Sequence, residues 1–130
     1  MQHKFRYFLS LSLVALLISI NLPALEKAGA NSSSELAKGI SGLYQVEGIN
    51  PDGSSYRGTC TIEFKEKSGY LLSWKIAKDT FSGKGVLMGN TLTVDWGQAD
   101  PVIYTVLENG KRLEGTWKID GGEGNEILTR

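Results

Sequence analysis

Between Gly83 and Gly97 the chain reads Gly-Lys-Gly-Val-Leu-Met-Gly-Asn-Thr-Leu-Thr-Val-Asp-Trp-Gly, two alternating apolar and polar stretches that meet at Gly89-Asn90. Successive side chains of a strand point to opposite faces, so alternation at period two marks a half-buried strand. A Gly/Asn pair between two such runs marks a tight hairpin. The same grammar recurs from Gly42 to the last residues, and no helical period interrupts it.

Eight strand-like runs follow one another: Gly42–Gly48, Tyr56–Lys65, Tyr70–Ala77, Thr80–Met88, Thr91–Trp96, Val102–Leu107, Leu113–Ile119 and Asn125–Thr129. Turn chemistry separates them. Asn50-Pro51-Asp52-Gly53-Ser54 combines a fixed proline φ with residues that accept tight geometry, and Asn109-Gly110 is a strong hairpin signal. Tyr44, Tyr56, Phe64, Tyr70, Trp74, Phe81, Trp96, Tyr104 and Trp117 all fit one inward parity. Arg57, Glu63, Lys75, Lys84, Asp95, Glu114 and Lys118 fall on the other. A one-residue slip would expose the apolar set of a whole strand, so the register is well specified. Short links without helices predict an eight-stranded antiparallel up-and-down barrel over residues 42–130, whose interior is filled by side chains or holds one small ligand. A two-sheet sandwich would need a long Greek-key connection, and none is evident.

The last strand leaves one direction open. With Ile127 inside, Glu126 and Leu128 face out; the reverse buries Glu126. In that case the carboxylate needs a tyrosine hydroxyl or an indole N–H as partner, because an unpaired buried carboxylate is costly.

The first thirty residues read as an export signal. Met1-Gln2-His3-Lys4-Phe5-Arg6 is a basic start, Leu9 to Ile20 is apolar, and Ala28-Gly29-Ala30 offers a small-residue cleavage site. The apolar run of about 12 residues is short of the roughly 20 that a membrane span needs. Cleavage after Ala30 leaves a polar leader, residues 31–41, ahead of the barrel and no stable membrane span. Three of the 14 basic residues and one of the 14 acidic residues fall in the signal. The remainder is slightly acidic and lacks the basic excess of a nucleic-acid binder.

Residue types exclude much chemistry. The only histidine, His3, lies in the signal, which removes Ser-His-Asp and Cys-His nucleophile schemes and the common zinc sites. One cysteine, Cys60, cannot form a disulfide within the chain, and it sits on the apolar parity as a small buried hydrophobe. The expectation is a protein without catalytic residues, metal or cofactor.

Binding residues are sought at the barrel ends. Lys67-Ser68-Gly69, Gly89-Asn90 and Asn109-Gly110 share one end and are tight; Asn50–Ser55, Lys78-Asp79, Gly97–Pro101 and Asp120–Gly124 share the other and are mostly longer. Loops on a rigid scaffold carry binding residues. The long-loop end is therefore the expected mouth, with Asn50, Asp52, Ser54, Asp79, Asp100, Asp120 and Glu123 as its binding residues. Its acidic side chains would attract a basic partner surface. Should the barrel be hollow, Tyr44, Tyr56, Trp74, Trp96, Tyr104 and Trp117 would line a pocket for a small apolar ligand.

From Gly42 onward the sequence resembles a family of small exported bacterial proteins labelled fibronectin-binding. The resemblance rests on Gly42-x-Tyr44-x-Val46-Glu47-Gly48-x-Asn50-Pro51-Asp52-Gly53-Ser54-x-Tyr56-x-Gly58, on Gly89-Asn90-x-Leu92-x-Val94-x-Trp96-Gly97, and on Pro101-Val102-Ile103-Tyr104. It implies adhesion to a protein partner and carries over no binding residue. At fold level the chain is similar to the avidin and lipocalin (calycin) group, whose first strand opens Gly-x-Trp where this one has Gly42-x-Tyr44. The polar biotin pattern of avidins is not evident. It is also broadly similar to periplasmic inhibitors of secreted metalloproteases, whose Ser-rich leader is matched by Asn31-Ser32-Ser33-Ser34-Glu35-Leu36, although their disulfide is impossible here. The expectation is a secreted or periplasmic, non-enzymatic binding protein with a protein partner at the long-loop end. Its alternatives are a small-ligand carrier and a protease inhibitor acting through the leader.

Overall fold

A computed structural model of the chain describes residues 39–65 and 69–130. The expected export signal, and the leader as far as residue 38, lie outside the described residues. The strands are β1 (Gly42–Ile49), β2 (Ser55–Lys65), β3 (Gly69–Ile76), β4 (Asp79–Met88), β5 (Thr91–Asp95), β6 (Val102–Leu107), β7 (Arg112–Ile119) and β8 (Gly122–Thr129). Each pairs antiparallel with the next, and β8 pairs with β1 to close the barrel. Closure leaves no unpaired sheet edge.

Alternation carries through to burial. Tyr44, Tyr70, Trp74, Phe81, Trp96, Tyr104 and Trp117 are buried, and Tyr56 and Phe64 pack against them half-buried. All nine aromatics therefore point inward. The outer wall carries exposed Arg57, Glu63, Lys75, Glu114 and Lys118. Apolar inside and charged outside is the reverse of a barrel that faces lipid. Among the described residues no helix is long and apolar enough to cross a membrane.

Inward glycines let the large rings fit. Gly48 pairs with Tyr56, Gly115 with Tyr104 and Gly124 with Trp117. A Cβ at any of the three would sit inside the van der Waals surface of its partner's ring. The rings thus lie across the neighbouring strand, where a small interior needs small residues opposite large ones. Gly124 corrects a boundary. Residues 120–124 read as a loop, but the turn is only Asp120-Gly121, and β8 begins at Gly122 because Gly124 is required beneath Trp117.

The two ends differ more in closure than in loop length. At the end bearing the Gly89-Asn90 turn, the expected two-residue hairpin at Asn109-Gly110 is a longer link containing a 3-10 turn, Glu108–Gly110. Ile40, expected in the polar leader, is completely buried there. The Tyr44 hydroxyl bridges the carbonyls of Ile40 (2.8 Å) and Gly110 (2.6 Å). The Arg130 guanidinium donates to the carbonyls of Ser41 (2.6 Å) and Gly39 and lies 5.0 Å from the Tyr44 ring centroid. This is the plugged end. The opposite end, which carries the links after β1, β3, β5 and β7, is the open end. Two of its four links, Ala77-Lys78 and Asp120-Gly121, are only two residues long.

Candidate functional site

The seven expected mouth residues divide into three groups. Asn50, Asp52 and Ser54 build their own turn. The Asn50 side chain donates to Ser54 Oγ at 3.1 Å, and Asp52 Oδ1 accepts from the Ser54 amide (2.9 Å) and hydroxyl (2.5 Å). Asp79 is the first residue of β4, in register with Ile76. Asp100, Asp120 and Glu123 line a depression of about 540 Å³ together with Lys118 and Gly122. Glu123 reaches it from β8, paired with Lys118, and not from a loop as expected. Trp96 Nε1 donates to the Asp100 carbonyl at 2.8 Å, which ties this rim to the interior. Among the described residues, no group of three or more His, Cys, Asp or Glu side chains could hold a metal ion.

The six expected pocket aromatics also separate. Tyr44 belongs to the plug. Trp96 and Trp117 meet edge to face near the open end, with ring centroids 5.8 Å apart, and Tyr56 lies 6.4 Å from Trp117. Trp74 and Tyr104 occupy the middle of the barrel and share a 3.1 Å hydrogen bond from indole N–H to hydroxyl. The interior around them is filled: Tyr104 is 0 % exposed, Trp117 1 % and Trp74 3 %. A second depression, of about 420 Å³, lies over Glu47, Arg57 and Thr59. Neither depression is lined by the interior aromatics.

Glu126 is the residue that the sequence left undecided, and it faces inward at 3 % exposure. Its strand neighbours explain its company. Glu126 is in register with Gly48 on β1 and Gly115 on β7. Beyond those glycines stand Tyr56 and Tyr104. The order across five strands is Tyr56, Gly48, Glu126, Gly115, Tyr104. Two positions without side chains let two tyrosines lean toward one carboxylate.

Hydrogen bonds follow that symmetry. Trp117 Nε1 donates to the Tyr56 hydroxyl at 3.0 Å, and the Tyr56 hydroxyl donates to Glu126 Oε1 at 3.4 Å. The second bond is long for O–H···O. On the other flank, Trp74 donates to Tyr104, and both pull the Glu126 pKa downward. None of these donors reaches the second oxygen, Oε2, with hydrogen-bond geometry. Burial outweighs the donors and lifts the carboxyl to about 7. Burial, reinforced by the nearby carboxylate, also raises Tyr56, Tyr104 and the Cys60 thiol, so all three stay neutral around the acid. Tyr56 was expected as an aromatic wall. Its hydroxyl is the tyrosine donor that the sequence requires of an inward Glu126.

No family model and no curated protein matches the chain. Solved structures of designed proteins do. A redesigned β-barrel, mFAP1, bound to DFHBI, aligns with a TM-score of 0.58 at 17 % identity over 74 % of this chain and 99 % of its own. Another redesigned β-barrel, b11L5F_LGL, gives 0.57 at 17 % identity over 74 % and 95 %. A fluorescence-activating β-barrel designed de novo gives 0.51 at 17 % identity over 74 % and 97 %. At such identity the likeness is one of fold, a closed antiparallel β-barrel.

Proposed function

We propose that this is an exported, non-catalytic binding protein that takes a small, largely apolar ligand at the open end of its barrel. The observation that supports this most directly is a buried acceptor without a partner, Glu126 Oε2, beneath an aromatic layer. Tyr56 of that layer is partly buried, and Phe81 and Trp96 are only 9 % and 7 % exposed. An apolar wall with one or a few convergent polar groups is the ordinary make-up of a small-molecule site. One neighbour in fold is bound to a small molecule, DFHBI. Export rests on the sequence of residues 1–30. Because the interior is filled, ligand entry displaces a side chain at the mouth. Titrating the purified protein with Nile red should give saturable energy transfer from tryptophan to dye at one dye per chain. Transfer that rises linearly without saturation would sink this reading.

A protein partner is the second reading, favoured by the gathering of Asp100, Asp120 and Glu123 at one rim depression. Such a rim suits a basic surface, and its attraction weakens with salt. Retention on immobilised fibronectin that is saturable and falls with salt would support it; the absence of retention at low salt would rule out that partner. The leader, residues 31–38, on which an inhibitor would depend, lies outside the described residues.

A further inference from the structure

We propose that Glu126 is the ligand's anchor, that the ligand is a flat aromatic molecule carrying a protonated nitrogen, and that Tyr56 is the side chain that swings aside to admit it. This rests on the small-ligand reading and specifies its chemistry.

The charge of the ligand follows from what surrounds the carboxylate. Glu126 is the one buried ionisable carboxylate or cation among the described residues; the other buried polar residue is Asn50, a neutral amide. The side chains that face it are Tyr56 and Cys60 from β2, Trp74 from β3 and Tyr104 from β6, flanked by Gly48 of β1 and Gly115 of β7. All are neutral, and no lysine or arginine among them offsets an ionised carboxylate. Tyrosine and indole donors aimed at one acid stabilise its charged form, yet Oε2 remains without a hydrogen bond. A cationic N–H donor from outside the chain satisfies both deficits at once, the charge and the open acceptor. Charge-assisted hydrogen bonds are the stronger kind. Trp96, the least enclosed of the three indoles, supplies a ring face, which attracts cations as well as apolar surface. The same walls reject an anion.

Tyr56 is the removable piece for three reasons. It is partly buried, whereas Trp74, Tyr104 and Trp117 are fully enclosed. Its bond to Glu126 is the longest in the cluster, at 3.4 Å, and the other bond its swing breaks is the one it accepts from Trp117 Nε1 at 3.0 Å. It stands at the start of β2, immediately after the Asn50–Ser54 link of the open end, with its ring over the bare backbone of Gly48. An outward swing also removes the Tyr56 bond to Oε1, leaving Tyr104 and Trp74 beside the carboxylate. With the carboxyl titrating at about 7, the anchor is charged on the alkaline side of neutrality and discharged on the acid side.

The test uses two probes with the same three-ring body, 9-aminoacridine, which is cationic, and 9-methylanthracene, which is neutral. Affinities are read from tryptophan quenching on the full chain. 9-Aminoacridine should bind roughly tenfold more tightly than 9-methylanthracene at about pH 8, and that advantage should shrink toward one at about pH 5.5 as Glu126 takes up its proton. In Glu126→Gln the advantage at high pH should vanish. Equal affinities at both pH values, or an advantage that survives in Glu126→Gln, would overturn the anchor while leaving the small-ligand reading standing. If neither probe binds, the small-ligand reading itself fails. Should Glu126→Gln not fold, the pH dependence of the ratio in the unaltered protein decides alone.

Discussion

The two ends of the barrel solve the problem of closing a cylinder in different ways. At the plugged end the chain closes the cylinder with itself: Ile40 fills the opening, Tyr44 holds it from below, and Arg130 ties down residues 39–41 from outside. The Tyr44 hydroxyl and the Arg130 guanidinium find partners within the chain, while two buried polar atoms at this end, Ser41 Oγ and Tyr70 OH, have none. At the open end the cover is made of rings, Tyr56, Trp96 and Trp117, and beneath it lies Glu126 with an unanswered oxygen. Burying an acceptor without a donor costs about 1–3 kcal/mol. A barrel selected only for stability would place an apolar residue there. The contrast underlies the proposal that binding belongs to the open end.

Breaking the plug is the largest effect this comparison predicts. Ile40 is completely buried, and truncating such a side chain leaves both lost transfer energy and a cavity, so Ile40→Ala should cost about 4 kcal/mol. Chemical denaturation followed by tryptophan fluorescence measures it. If the plug is scaffold, dye affinity at the open end should not change under conditions where the variant is folded. A variant that stays stable but loses dye binding would reverse the roles assigned to the two ends.

Glu126 sharpens the comparison through pH. Its ordinary value of 4.5 rises to about 7 in the folded protein. The folded state therefore holds a proton that the unfolded chain has already released between those values. Stability from this group is fully present below 4.5, declines as pH climbs through 7, and levels off above it. The total loss is about 3 kcal/mol, since one pKa unit is worth about 1.4 kcal/mol. Unfolding free energies measured on both sides of neutrality should show this slope, and Glu126→Gln should flatten it. A slope that persists in the variant would assign the pH response to some other group.

The scaffold was far more legible in the sequence than the site, for a physical reason. Strand facing follows from burial at period two, and nine aromatics on one parity give the inward face that the structure has. Glycines carry no such information. Gly122-Glu123-Gly124 looks like a loop because glycine is common in turns, yet Gly124 lies in β8 because nothing larger fits under Trp117. Gly48 and Gly115 likewise look like weak spots in strands, although they are the positions that bring Tyr56 and Tyr104 toward Glu126. An inward glutamate contradicts the hydrophobic rule by which inward positions are recognised. It could be decided only once the strands were paired. Ile40 was missed for the opposite reason: a single apolar residue outside any periodic run gives no direction.

Arg130 offers the finest test of the difference between the ends. Its guanidinium bonds the Ser41 and Gly39 carbonyls from the surface and sits over the Tyr44 ring. Being exposed, it competes with water for those contacts, which makes each worth far less than a buried bond. The cation–π contact adds only about 0.5–1 kcal/mol at such a site. Arg130→Ala should therefore lower stability by about 1 kcal/mol, less at high salt. Arg130→Lys should restore little, because an ammonium cannot span two carbonyls as the planar fork does. Hydrogen exchange gives the more diagnostic readout: local opening should quicken at amides of residues 40–44, while those of β8 near Glu126 keep their rates. Exchange that quickens equally around Glu126 would mean that the plug and the acid form one cooperative unit. The two ends would then not be separable.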